Sequence, residues 1–190
     1  MITIVSGLPR SGTSLMMQML AAGGMPVLSD GERRADLDNP RGYLEWERIK
    51  QLPKNPDLIA EAEGKAVKVI SQLLLALPTG HQYGVIFMQR PLSEVLASQT
   101  EMLRRRGSSS PDGDNSALVR AFQNHLYEVN TSLNSRTDVR VMRLPYHQVL
   151  SEPRETSEKI AEFLGVTLDI GAMSKQVDPA LYRQRVSAMK

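Results

Sequence analysis

The stretch Ile2-Thr-Ile-Val-Ser-Gly7-Leu-Pro-Arg10-Ser-Gly12-Thr13-Ser-Leu-Met-Met-Gln-Met19 decides the fold. Ile2 to Val5 is rich in β-branched residues and reads as a buried strand. Gly7 to Gly12 makes a tight loop, and Thr13 opens an apolar helical stretch. Strand, glycine-bounded loop and helix in that order are the setting of a phosphate-binding loop. Backbone N–H groups in such a loop converge, and the helix N-terminus adds partial positive charge, so an anion of phosphate size is the natural occupant. A nucleotide hydrolase carries Lys directly after the second glycine. Here Thr13 holds that position, and the cation, Arg10, lies inside the loop. The plain alternative is a strand-to-helix turn that binds nothing, but Gly, Arg, Ser and Thr all fall where an anion site needs them.

Leu15, Met16, Met19 and Leu20 follow as a helical stripe facing the sheet, with Met as adaptable core. Gly23-Gly24 ends the helix, and Met25 to Leu28 is a short second strand. Ser29 to Gly42 is polar and dense in charge, a loop returning over the phosphate site. Asp30 and Glu32 open it, just past a strand end, where open α/β sheets bind ligands. A solvated acidic turn balanced by Arg33 and Arg34 accounts for them equally. Tyr43 to Leu52 reads as a short helix stopped by Pro53, with Glu45 favoured by the N-terminal dipole and Trp46 as packing. Asn55 to Gly64 is a connecting segment. Ala66 to Ile70 alternates as a strand and contains Lys68; Leu73 to Leu77 is a short apolar helix.

The second informative site is the strand Tyr83 to Met88, which ends in Gln89-Arg90-Pro91. Pro91 suits the first turn of a helix. Leu92, Val95, Leu96, Gln99 and Leu103 then keep helical spacing, leaving Ser98 off the stripe. At a rise of about 1.5 Å per residue, Arg90 and Ser98 can approach one anion from different sides. The alternative is a strand-end Arg paired with an acidic neighbour. Arg104-Arg105-Arg106 complements the helix's negative pole, and Gly107 to Asp114 is a flexible loop. Leu118, Ala121, Phe122, His125, Leu126, Val129 and Leu133 make the cleanest amphipathic helix, with His125 as a core histidine. Val139, Val141 and Leu144 form the last strand. Tyr146-His147 follows, then a helix closing at Phe163-Leu164-Gly165. Asp178-Pro179 caps a final helix bearing Arg183 and Arg185.

Composition bounds the rest. The chain has 190 residues, 41% hydrophobic and 23% charged, which suits one soluble globular domain over 1–190. A formal net charge of +2 argues against nucleic-acid binding through bulk charge. The absence of Cys removes disulfides, thiolate-ligated zinc and thiol nucleophiles. No apolar run reaches membrane-span length and no secretion signal is visible, so a cytoplasmic location without membrane partners is expected.

The segment Pro9-Arg-Ser-Gly-Thr-Ser14 resembles the 5′-phosphosulfate loop of the sulfotransferases, which use 3′-phosphoadenosine 5′-phosphosulfate (PAPS). Its Arg form is most similar to the tyrosylprotein and bacterial branches. Arg90 followed eight positions later by Ser98 resembles the family's 3′-phosphate site. Asn39-Pro-Arg-Gly-Tyr-Leu-Glu45 resembles a bacterial sulfotransferase segment, and Tyr146 matches the Tyr that packs near the adenine, with His147 replacing the usual Glu. Lys68 stands where related bacterial sequences read Ile-Lys-Asp-Pro-Arg, but this chain lacks the Asp-Pro-Arg. The likeness runs in patches from about Ile2 to Leu168.

It implies a three-layer α/β/α sandwich, a P-loop nucleotide-binding fold with a mostly parallel sheet of about five strands. It implies sulfuryl transfer from PAPS to a hydroxyl or amine, with adenosine 3′,5′-bisphosphate as product and no metal. Pro9, Arg10, Ser11, Gly12, Thr13, Ser14, Arg90, Ser98 and Tyr146 would bind the donor. Arg10 and a carboxylate (Asp30, Glu32 or Glu45) would be catalytic. The acceptor would be a small molecule, carbohydrate or peptide; oligomeric state is left open. The alternatives are a small P-loop kinase using Mg-ATP, disfavoured by Thr13 and by strand ends without Asp, and a non-catalytic nucleotide binder.

Overall fold

Burial along two strands sets the layers. In β1 (Ile2–Gly7) every residue is buried, Ile2 and Ile4 entering one core and Val5 the opposite one. In β4 (Tyr83–Gln89), Tyr83, Val85 and Phe87 join the first core and Ile86 and Met88 the second. Strands buried on both faces require cover on both. The computed structural model, which describes residues 1–33, 35–36, 39, 42–105 and 116–178, supplies it.

The sheet adds β2 (Val27–Leu28), β3 (Ala66–Lys68) and β5 (Val139–Pro145), in the order β2-β3-β1-β4-β5 with every pairing parallel. One face carries α1 (Thr13–Ala22), and later α4 (Tyr146–Ser151), α5 (Pro153–Leu164) and α6 (Ile170–Ser174). The other carries α3 (Ser116–Asn134) and 3₁₀ turns at Glu47–Gln51, Pro56–Ala62 and Ser71–Ala76. α2 (Leu92–Arg105) leaves the end of β4. This is the expected α/β/α sandwich with a five-stranded parallel sheet. Among the described residues no helix is long and apolar enough to cross a membrane.

Several elements differ from expectation. The helix expected over Tyr43 to Leu52 begins only at Glu47 and is 3₁₀, because Leu44 has φ 48° and Trp46 is extended. Asn55 to Gly64 contains a 3₁₀ turn that starts at Pro56. β3 stops at Lys68, although Val69 still donates to the Val5 carbonyl at 3.0 Å. α1 buries Met17 as well as Met16, Met19 and Leu20, while Leu15 is only half-buried. α2 turns Glu94, Val95 and Ser98 inward, and Leu96 is half-buried. Its apolar stripe yields because the Arg90 guanidinium is itself buried and draws Glu94 in. α6, unforeseen, starts where Asp169 accepts from the Ala172 N–H. His125 is satisfied, its Nε2 lying 2.9 Å from Ser71 Oγ. The loop expected over 107–114 and the helix expected to carry Arg183 and Arg185 fall outside the described residues.

Register places the chemistry. Val5 pairs with Lys68 on one side of β1, and Gly7 pairs with Met88 on the other. The carboxyl ends of β3, β1 and β4 thus bring Lys68, the glycine loop and Arg90 to one edge, where the chain's winding reverses about β1, the usual ligand crevice of such sheets.

Candidate active site

The loop between β1 and α1 is shaped by its glycines. Gly7 has φ 150°, and a Cβ there would sit 2.7 Å from the Met88 carbonyl oxygen. Gly12 has φ 100°, and a Cβ there would run into the Tyr146 ring. Between them Arg10 takes the left-handed conformation at φ 69°, unusual for a side-chain-bearing residue, and the Ser11 N–H closes a turn on the Leu8 carbonyl at 3.1 Å. α1 then starts with no side-chain cap and no acidic residue in its first turn. Its leading N–H groups and its dipole therefore serve whatever anion enters the loop.

Arg10 and Arg90 meet at this loop. Arg90 Nη1 donates to the Arg10 carbonyl at 3.0 Å, and Arg10 Nε donates to Ser98 Oγ at 3.0 Å. Arg90 also forms an ion pair with Glu94, Nε to Oε2 2.9 Å, with both side chains almost fully buried. Its guanidinium lies 5.0 Å from the Tyr146 ring centroid. Arg10 thus meets Arg90 and Ser98, which are far from it in sequence, and the pairing of Arg90 with an acidic neighbour coexists with that convergence. Burial pushes the Tyr146 hydroxyl above its ordinary range, against the pull of Arg90 and Arg10.

On the other flank Lys68 reaches across from β3. Its Nζ donates to Glu45 Oε1 at 2.6 Å and to Ser14 Oγ at 3.2 Å. Arg33 Nη1 donates to both Glu45 oxygens, at 3.1 and 3.0 Å. The Arg33 guanidinium lies 3.5 Å over the Tyr43 ring centroid, and the Tyr43 hydroxyl donates to Asp36 at 2.8 and 2.9 Å. Burial alone would raise the Glu45 carboxyl, but hydrogen bonds and charge from Lys68 and Arg33 outweigh it and hold it below its usual range. Burial holds the Lys68 ammonium below the usual lysine range despite the Glu45 bond, with Arg33 and Arg10 adding to the effect. Gln18 of α1 pins the overlying segment, donating to the Gly42 carbonyl at 2.9 Å. Loop, Arg10, Arg90, Ser98, Lys68 and Glu45 line one cavity of about 400 Å³.

A family model described as "Sulfotransferase domain" matches residues 2–190. The chain belongs to the sulfotransferase family. A search of curated proteins gives no significant match. Among solved structures, this sulfotransferase is similar to sulfotransferase STF1 from Mycobacterium tuberculosis H37Rv (15% identity, 95% of this chain and 73% of that one, TM-score 0.61). It is likewise similar to the sulfotransferase domain of the Synechococcus PCC 7002 olefin synthase (16% identity, 100% and 89% coverage, TM-score 0.62). Sulfotransferase STF9 from Mycobacterium avium follows at 14% identity, 98% and 69% coverage and TM-score 0.56. These likenesses are of fold. Membership of the family makes the chain's activity sulfuryl transfer.

Within the sulfotransferase, the residues expected to bind the donor do not all stand alike. Arg10, Gly12, Thr13, Ser14, Arg90, Ser98 and Tyr146 line the cavity, as does Pro9. Ser11 is buried behind the loop. Tyr146, expected near the adenine, packs under the loop at Gly12 and beside Arg90. The three carboxylates separate. Asp30 spends its oxygens on backbone, accepting from Glu32 N–H at 3.1 Å and Glu47 N–H at 2.5 Å. Glu32 is exposed outside the cavity lining. Glu45 lines the cavity, so the helix-start role expected of Glu45 falls to Asp30. Lys68, Arg33, Tyr43 and Glu94 escaped the sequence reading as members of the site. Lys68 alone carried a signal: a charge inside an apolar alternation, near a strand's carboxyl end.

Proposed function

We propose that residues 1–190 act as one catalytic unit that transfers a sulfuryl group from PAPS to an acceptor hydroxyl or amine. The observation that carries this reading is the meeting of Arg10, Arg90 and Ser98 at an uncapped helix N-terminus. Two anion-binding elements one loop apart suit a nucleotide phosphorylated at both ends. The residues fit the donor in a second respect: the cavity that the loop opens into is lined by the cations Arg10, Lys68 and Arg90, the chemistry that an anionic nucleotide needs. When bound, PAPS supplies the sulfuryl group and a phosphate leaving group.

Each residue then has a role that its position supports. The N–H groups of Gly12, Thr13 and Ser14 and the Arg10 guanidinium stabilise negative charge at the loop, the term that generally dominates such reactions. Arg90, by its charge beside the loop, and Ser98 hold the 3′-phosphate. Glu45 accepts the acceptor's proton, a contribution of about 10²–10⁴-fold. Lys68 spans Ser14 and Glu45 and sets the base against the loop.

The test is radiolabelled sulfuryl transfer from PAPS to a panel of hydroxyl and amine acceptors, with calorimetry beside it. Adenosine 3′,5′-bisphosphate should bind the wild type and lose affinity in Arg10→Ala and Arg90→Ala. Tighter binding of Mg-ATP than of the bisphosphate would overturn the reading in favour of a kinase. Bisphosphate binding with no transfer to any acceptor would leave a nucleotide binder.

A further inference from the structure

The acceptor half of the cavity has a charge pattern of its own. Away from Arg90 and Ser98, it is lined by Leu15, Arg33, Tyr43, Glu45, Lys68 and Ile70. Two cations there face one carboxylate. Lys68 is committed to Glu45 and Ser14 and is nearly buried. Arg33 differs: its side chain is 38% exposed, and Nη1 alone makes both bonds to Glu45. Stacking on Tyr43, whose hydroxyl Asp36 anchors, fixes the plane of the guanidinium. A planar, pre-oriented guanidinium with spare N–H groups is the usual receptor for a carboxylate, sulfate or phosphate.

The same contact creates a conflict. A carboxylate engaged by Lys68 at one oxygen and by Arg33 at both has little basicity left for an acceptor's proton. Relief comes if the acceptor brings its own anion for Arg33. We propose that the acceptor is an anionic molecule, a hydroxyl or amine on an apolar body bearing an acidic group, and that Arg33 receives that group and loosens its hold on Glu45. The apolar body would lie on Leu15 and on Ile70, which is 43% exposed. Arg33 is therefore a specificity-determining and positioning residue. The inference rests on the donor-site reading above, since it takes Glu45 as the base.

The test uses three acids, each with its uncharged amide: 4-hydroxyphenylacetate, 4-hydroxycyclohexanecarboxylate and 6-hydroxyhexanoate. Calorimetry measures each against the enzyme saturated with adenosine 3′,5′-bisphosphate, whose own affinity is measured first. At least one acid should bind about tenfold or more tighter than its amide. Arg33→Gln should reduce that preference to about twofold or less, while Arg33→Lys, which keeps the charge but not the fork, retains part of it. Bisphosphate affinity should not change in either variant, which also shows that they fold. Carbon-13 titration of the Glu45 carboxyl should show its pKa rising when the preferred acid binds. Equal binding of acid and amide in all three pairs, no binding of any acid, or a preference that survives in Arg33→Gln overturns the inference. Failure of the bisphosphate itself to bind sinks the donor-site reading instead, so the two failures are distinct.

Discussion

Glu45 shows how little a residue's type says about its task. Asp30, Glu32 and Glu45 are three acids on one polar segment, and the sequence favours none of them. Their difference lies in what the fold places beside them: two backbone N–H groups at Asp30, solvent at Glu32, and Lys68 with Arg33 at Glu45. Glu45→Gln should lower kcat by about 10²–10⁴-fold while leaving adenosine 3′,5′-bisphosphate affinity within about threefold; steady-state kinetics with calorimetry checks both. The pH dependence has a definite sign. The Glu45 carboxyl is held below its ordinary value of 4.5, so the proposed base is ionised throughout neutral and mildly acidic pH. Activity should stay level as pH falls toward 4.5 and be lost only below it, and the stability from the Glu45 pairing disappears over the same acid range. Lys68→Met removes the strongest force lowering that pKa, so the acid limb of the kcat/KM profile should move to higher pH. A limb that stays in place would show that Lys68 does not govern Glu45.

At the scale of elements, the β4–α2 junction joins two roles in Arg90. It anchors Glu94 in a place where water cannot reach, and it reaches the loop. Arg90→Ala should therefore destabilise the protein by about 3–5 kcal/mol, because the buried Glu94 loses its ion pair with Arg90. The double variant Arg90→Met with Glu94→Leu should recover most of that stability but not the binding of adenosine 3′,5′-bisphosphate. Denaturant unfolding and calorimetry on the two variants separate the roles, and recovery of binding would refute a donor contact by Arg90. This junction also marks the limit of what periodicity discloses. The segment β1–loop–α1 was legible because β-branching, two glycines and an apolar stripe all agree. β4 and β5 were legible from their apolar runs, and α3 from its helical spacing, although Leu118 and Ala121 of its expected stripe are exposed. The inward face of α2 was not, since Glu94 and Ser98 are polar residues whose burial depends on Arg90 and Arg10, partners that no local pattern names. The false helix at Tyr43 has a similar cause. Its apolar spacing is real, but Tyr43 and Trp46 are buried from a non-helical backbone, with Leu44 at φ 48° and Trp46 extended, beside the Gln18 and Asp36 contacts.

The molecule gathers three buried or half-buried cations at one sheet edge, although its net charge is only +2. Lys68, Arg10 and Arg90 come from β3, the β1–α1 loop and the end of β4, three neighbouring strands in the middle of the sheet. Mutual repulsion among these charges is a cost borne by the unliganded fold, offset by Glu45 and Glu94. An anion that touches the loop and Arg90 together should therefore stabilise the molecule globally, not only locally. Adenosine 3′,5′-bisphosphate at a hundred times its Kd contributes about 2.7 kcal/mol. For a chain of this size that is a rise in Tm of roughly 5–10 °C. Adenosine 5′-monophosphate, which lacks the 3′-phosphate, reaches the loop but not the Arg90 and Ser98 pair. At the same concentration it should raise Tm by less than half as much, and Arg90→Met with Glu94→Leu should bring the two shifts together by lowering only the bisphosphate's. Equal shifts from both nucleotides in the wild type would mean that the second anion site is not engaged, and that the strands' convergence serves the loop alone.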